Sequence, residues 1–418
     1  MLKDFFDLRG IEKWKNIILL IFSFSLPLNQ KWSTILLLVL IVISLFDKKD
    51  YKLFRNISFI LPIILYISTV ASLFYSHNFE LKFIEHRASL IGIPLIFLTI
   101  KIDYKAYSKI LRYFVLGCLT AVFICYINAL NNSFSIVDSE IKFQAVVNQE
   151  FSFLYSVVRD GNYFFSSFFS IFHDTTYFSI YLNVAIVIIL FLRLWKLNKW
   201  YYLLLLLFPM VIFQLSSKVG IIILFFIFIF FIFSRIKKMS LKMALLILIT
   251  ILGALFFQYN PRLKSMSEKF SKEKLTINPE ERFGYTLRLM SWDAALELIK
   301  ENPIKGLGVG DTQIKLNEKY IKKGYATPLK QNLNAHNEFF QIFLESGLVG
   351  FLSILLILYS LFKFSIVNNK IVFFNMCFLF IITISFLFES ILNRYSGISF
   401  FTFFYYIILN RYVENNDK

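Results

Sequence analysis

The sequence predicts an all-α, polytopic integral membrane protein with about twelve transmembrane helices, on three observations. Hydrophobic residues make up 57% of the 418 and the mean hydropathy is +0.65, whereas soluble domains are apolar to about half or less. Those residues, 52 phenylalanines among them, gather in runs that approach the roughly 20 residues a helix needs to cross a bilayer. The formal charge of +17 is carried by short basic clusters between the runs, as in juxtamembrane anchors, and not by a patch suited to nucleic acid.

The runs fall, in order, at about 15–30, 33–46, 56–76, 88–100, 108–130, 176–193, 200–216, 219–234, 241–258, 346–365, 371–390 and 395–411. Cys118, Cys125 and Cys377 lie within them, without metal-ligand or redox spacing, and read as small packing residues. No small-residue cleavage site follows the first run, so it is expected to remain as a helix. Basic residues concentrate in "DKKDYKLFR", "KIDYKAYSKILR", "RLWKLNKW", "SRIKKMSLK" and "KFSIVNNK", which places these connections and both termini in the cytoplasm. Chain 1–418 then forms one membrane domain with two long connections on the periplasmic side, 131–175 and 259–336. The second, between helices 9 and 10, is expected to be partly helical and to carry the chemistry. Its segment "YTLRLMSWDAALELIKENPIKGLGVGD" spaces Leu287, Met290, Ala294 and Leu298 as one apolar face of a helix, then stops at Pro303 and Gly306.

The candidate functional residues lie where loops meet spans. His336, in "LNAHNEFFQIFLESGLVG", begins a predicted helix; it either helps cap that helix or, held neutral by the helix N-terminus, serves as a general base. Glu345 enters the span in "LESGLVG", nine residues on and on nearly the opposite side, so it reads as a structural anchor for a basic partner. Gly347 and Gly350 permit a kink or a close helix contact. Arg288, on the polar side of the loop helix, has the donor fork that fits phosphate oxygens, though such residues are also ordinary solvated charges. Lys218, His173 and Arg87 sit at the predicted periplasmic ends of spans and are candidates to bind an anionic substrate. "GLGVGD" lacks the lysine and the preceding strand of a nucleotide loop and reads as a turn whose amides could still line an anion site. Intramembrane charges are scarce, which lowers the expectation of a proton-coupled transporter or channel.

"RLMSWDAALELIKENPIKGLGVGD" followed by "AHNEFFQIFLESGLVG", with "LSSKVG" upstream and looser likeness over "HDTTYFSIYL" and "FIEHRASLIGIPLIF", resembles the O-antigen ligase and polymerase family of bacterial inner-membrane glycosyltransferases. The resemblance implies an enzyme at the periplasmic face that transfers a glycan from undecaprenyl diphosphate to lipid A-core, with inversion and with neither metal ion nor other cofactor. It implies His336 as the base on the acceptor hydroxyl and Arg288 as a cation on the departing diphosphate. Lys218 falls where ligases show arginine, which keeps the charge and loses the fork. The alternatives are a polymerase of repeat units, a protein O-oligosaccharyltransferase and a non-catalytic glycolipid flippase.

Overall fold

The computed structural model describes residues 8–137, 139–143, 152–158, 162–194, 198–260, 277, 279, 284–367 and 372–416. Most of 259–283, residues 144–151 of the first long connection, and parts of the basic connections near 196 and 369 lie outside the described residues. In chain order the helices are α1 (Leu8–Ser25), α2 (Gln30–Leu45), α3 (Ile57–Leu73), α4 (Lys82–Glu85), α5 (Ser89–Phe97), α6 (Tyr104–Ser133), α7 (Phe153–Val158), α8 (Ser166–Phe169) and α9 (Thr175–Leu192). They continue with α10 (Trp200–Leu215), α11 (Lys218–Arg235), α12 (Met239–Tyr259), α13 (Tyr285–Glu301), α14 (Thr312–Lys323), α15 (Ala326–Lys330), α16 (Glu338–Val367), α17 (Val372–Phe388) and α18 (Tyr395–Asn416).

Each of the twelve apolar runs overlaps one of these helices. Among the described residues five helices are long and apolar enough to cross a membrane, and four more are apolar but shorter. The run at 88–100 yields only the nine-residue α5, which ends at Phe97, so the last three residues of the run lie beyond it. The connection at 131–175 contains an element that hydropathy did not reveal: strands β1 (Phe134–Val137) and β2 (Glu140–Phe143) pair antiparallel, with Phe134 opposite Phe143.

The chain divides into two compact units. One comprises 20–33 and 108–272; in it α9 packs against α10 and α11, and every residue from Tyr177 to Phe191 is buried. The other comprises 1–19, 34–107 and 273–418; here α16 packs along α3 and α17, while α5 packs on α18 and α3.

Loop helix α13 buries Met290, Ala294, Ala295 and Leu298 against Leu316 and Tyr320 of α14 and Leu344 of α16, as its spacing predicted. Its mooring is a break in α16. At Gly347 the backbone takes φ 64°, ψ −151°, a region open essentially to glycine alone, and this interrupts the helix. Leu344 O then accepts from Leu307 N at 2.6 Å, and Leu348 N donates to Ile304 O at 2.9 Å. The chain after α13 therefore satisfies backbone groups that the break exposes, which a buried segment requires. Gly306, at φ 72°, lets the two backbones approach: a Cβ there would lie 2.7 Å from Leu344 O.

At Gly347 an alanine Cβ would overlap the carbonyl of Ile304. Gly347→Ala is therefore expected to cost about 3 kcal/mol or more, as strain plus lost hydrogen bonds. Gly324→Ala, at φ 70° with open space around it, is expected to cost only about 1 kcal/mol. Thermal unfolding of the two purified variants measures the difference, and equal midpoints would contradict the mooring role of Gly347.

Candidate functional site

Docked in this way, α13 presents Arg288 to the end of α17. The guanidinium donates from Nε to Phe388 O at 3.1 Å and from Nη2 to Glu389 Oε1 at 2.5 Å. The other oxygen of Glu389, Oε2, lies 3.1 Å from His336 Nδ1. An arginine, a carboxylate and a histidine thus form a continuous chain. Its side chains are 25%, 15% and 25% exposed, so it is accessible without being fully solvated. Among the described residues no hydrogen bond engages His336 Nε2 or Arg288 Nη1, so both ends of the chain are open.

His336 is held by its backbone as much as by its ring. It adopts φ 46°, a left-handed conformation, with its N–H on Asn334 Oδ1 at 3.0 Å and its carbonyl accepting from Trp292 Nε1 at 3.3 Å. The helix after it starts at Glu338, two residues later than expected. Asn337 supplies the cap, its Oδ1 accepting from Phe340 N at 3.1 Å, and its Nδ2 donates to Leu387 O at 3.1 Å. His336 therefore neither begins nor caps α16, and its main electrostatic partner is Glu389 and not the helix terminus. Burial pushes the Glu389 carboxyl upward, but the hydrogen bond and charge of His336 and the Arg288 guanidinium outweigh it, and the pKa ends below the usual carboxylate value. An ionised Glu389 accepts from Nδ1–H; in the neutral imidazole that tautomer carries its lone pair on Nε2.

Arg87 is 6% exposed; it donates from Nη2 to Glu345 and to Asn393 Oδ1 at 2.7 Å, and its ion pair with Glu345 Oε2 closes to 2.6 Å. Lys218 and His173 belong to the other unit. Lys218 is the first residue of α11, behind the Ser217 cap. His173 is buried edge-on to the Tyr181 ring, and burial lowers its pKa to about 4 against the opposing pull of the Leu26 and Pro27 carbonyls. At neutral pH it offers an anion no positive charge.

Four amides of the glycine turn are occupied within the fold, Leu307 N by Leu344 O and Asp311 N by Gly308 O among them. Val309 N donates to Ser72 Oγ at 3.1 Å and Gly310 N to Ser76 Oγ at 3.2 Å. The Asp311 carboxylate accepts from His77 N and Asn78 N at 2.8 and 2.9 Å. Among the described residues no three His, Cys, Asp or Glu side chains are grouped as metal ligands.

Sequence reasoning passed over Glu389. Its signal was available in "FLFESILN", a lone carboxylate at the exit of an apolar span, costly there unless paired.

Residues 202–355 match the family model Wzy_C, described as O-Antigen ligase. Over this part of the chain the match supports the O-antigen ligase family. The matched region holds Lys218, Arg288, His336, Glu345 and Gly347, and it ends before Glu389. No match to a curated protein was found. The family match supports glycan transfer of the ligase or polymerase type, and the apolar helices suit a membrane protein.

Because the pKa of Glu389 is depressed in the folded state, its ionised form stabilises the fold. That contribution is complete above the ordinary carboxylate value and is lost as pH falls through the lowered folded value. Glu389→Gln is expected to reduce stability by on the order of 2 kcal/mol at neutral pH, the scale of a charge-assisted hydrogen bond. The gap between wild type and variant, read from unfolding midpoints against pH, should close on acidification below the ordinary carboxylate range. A gap that widens there would contradict the assignment.

Proposed function

We propose that the protein is an O-antigen ligase of the bacterial inner membrane, transferring a glycan from undecaprenyl diphosphate to a lipid A-core hydroxyl at the periplasmic face. The observation that carries this reading is the Arg288–Glu389–His336 chain, open at both ends, within a chain matched to the O-antigen ligase family. His336 Nε2 takes the proton of the acceptor hydroxyl as that oxygen attacks the anomeric carbon. The bond from that carbon to the diphosphate breaks, and its electron pair leaves with undecaprenyl diphosphate. Arg288 Nη1 hydrogen-bonds the departing phosphate, where negative charge grows and a fixed donor acts most strongly. Attack opposite the leaving group inverts the anomeric carbon. Glu389 holds the imidazole by Nδ1–H and balances the charge it gains, the part a carboxylate plays beside a histidine base.

The test uses purified protein in detergent with undecaprenyl-diphosphate-linked glycan and lipid A-core, following product mass and release of undecaprenyl diphosphate. His336→Ala is expected to lower turnover at least about a hundredfold, the usual minimum for a general base. Arg288→Lys, which keeps charge and loses the fork, should lower it about tenfold to a hundredfold. Stepwise growth of the carrier-linked glycan would replace ligation by polymerisation. A labelled protein band would indicate a protein acceptor. Unchanged linkage chemistry in folded His336→Ala would remove the histidine base.

A further inference from the structure

Beneath the open chain lies a buried ionic cluster to which the proposed reaction gives no role. Arg87, ahead of α5, donates from Nη2 to Glu345 Oε1 at 2.9 Å and from Nε to Leu392 O at 3.3 Å. Leu392 N donates to Glu338 Oε2 at 2.6 Å, so this one residue is gripped at its carbonyl by Arg87 and at its N–H by Glu338. Leu392 stands three residues beyond Glu389. On the other side, Glu345 Oε1 accepts from Gln341 Nε2 at 2.8 Å, and Gln341 Oε1 accepts from Ala335 N at 3.1 Å. Ala335 immediately precedes His336. Two threads thus run from the Arg87–Glu345 pair, one to each member of the histidine–carboxylate contact.

Stability alone is a poor reason for such a cluster. A buried ion pair gains little over well-packed apolar side chains of the same volume, and here two of its buried atoms, Arg87 Nη1 and Glu338 Oε1, find no partner among the described residues. What charged groups supply and apolar ones cannot is direction. His336 needs it, because φ 46° is a conformation that a non-glycine residue keeps only when its surroundings impose it. Relaxation of that backbone would swing the imidazole off Glu389 and turn Nε2 from its target.

We propose that Arg87 and Glu345, acting through Gln341 and the backbone of Leu392, are positioning residues that hold His336 and Glu389 in contact. This rests on the reading of His336 as the base. The experiment measures kcat, KM for the lipid-linked donor and the pH profile of kcat for Glu345→Gln and Gln341→Met, each also in a His336→Ala background, with thermal unfolding alongside. Gln341→Met leaves the ion pair in place, so it decides should Glu345→Gln fail to fold. The expected result is a tenfold to hundredfold lower kcat, donor KM within twofold, a displaced pH profile, and less than twofold further loss once His336 is alanine. Wild-type kcat in the folded variants, or the same loss with and without His336, would overturn the positioning role. Wild-type kcat in His336→Ala itself would overturn the base reading, and the positioning role with it, a result distinct from the first two.

Discussion

The unit that holds α13 and α16 depends on one constraint, that backbone polar groups exposed by a broken helix must find partners away from water. Gly347 breaks α16, and the segment 304–307 answers the break with one donor and one acceptor. In hydrocarbon or protein interior an unanswered group costs several kcal/mol, so break and segment form as a pair. The pairing fixes where α13 ends, and the buried face of Met290, Ala294 and Leu298 fixes how it is rotated. Arg288 is then directed at the end of α17 by the rigid body that carries it.

Glu389 is the point at which this placement becomes chemistry. With one oxygen on Arg288 and the other on His336, it ties a residue of the loop helix to the segment before α16. Both neighbours stabilise its charge against burial, and it in turn orders the histidine. With side chains partly exposed, these three groups are surrounded by enough protein to strengthen each hydrogen bond and stay partly accessible.

Much of this was legible in the sequence. Continuous apolar runs announce helices because a bilayer leaves the backbone few other choices, and the heptad-like face of "RLMSWDAALELI" announced α13. The hairpin at 134–143 was not, since two four-residue strands carry little periodic signal inside a polar connection. Asn337 was hidden behind its neighbour: asparagine is the better cap, and a histidine beside it draws the eye. Glu345 was expected to anchor a basic partner, and "LESGLVG" alone does not say that the partner is Arg87, 258 residues away. Glu389 and Arg288 are likewise 101 residues apart, a contact set by the packing of helices and not by any local pattern.

The order of partners along the chain also bears on how the two ends of the site communicate. Glu389 divides its charge between a guanidinium and an imidazole, so whatever draws Arg288 away leaves more of that charge to His336. An anion at Arg288 Nη1 competes with Glu389 for the same guanidinium, and by reciprocity a proton on His336 strengthens the claim of the histidine on the carboxylate and loosens Arg288 toward the anion. Under the proposed reaction the two events coincide, because the proton reaches His336 as the diphosphate gains its charge. A carboxylate placed between the two cations therefore does more than orient one of them. Under the proposed reaction it makes binding of the leaving group and proton transfer to the histidine parts of a single equilibrium, a role that a carboxylate paired with either alone would not fill.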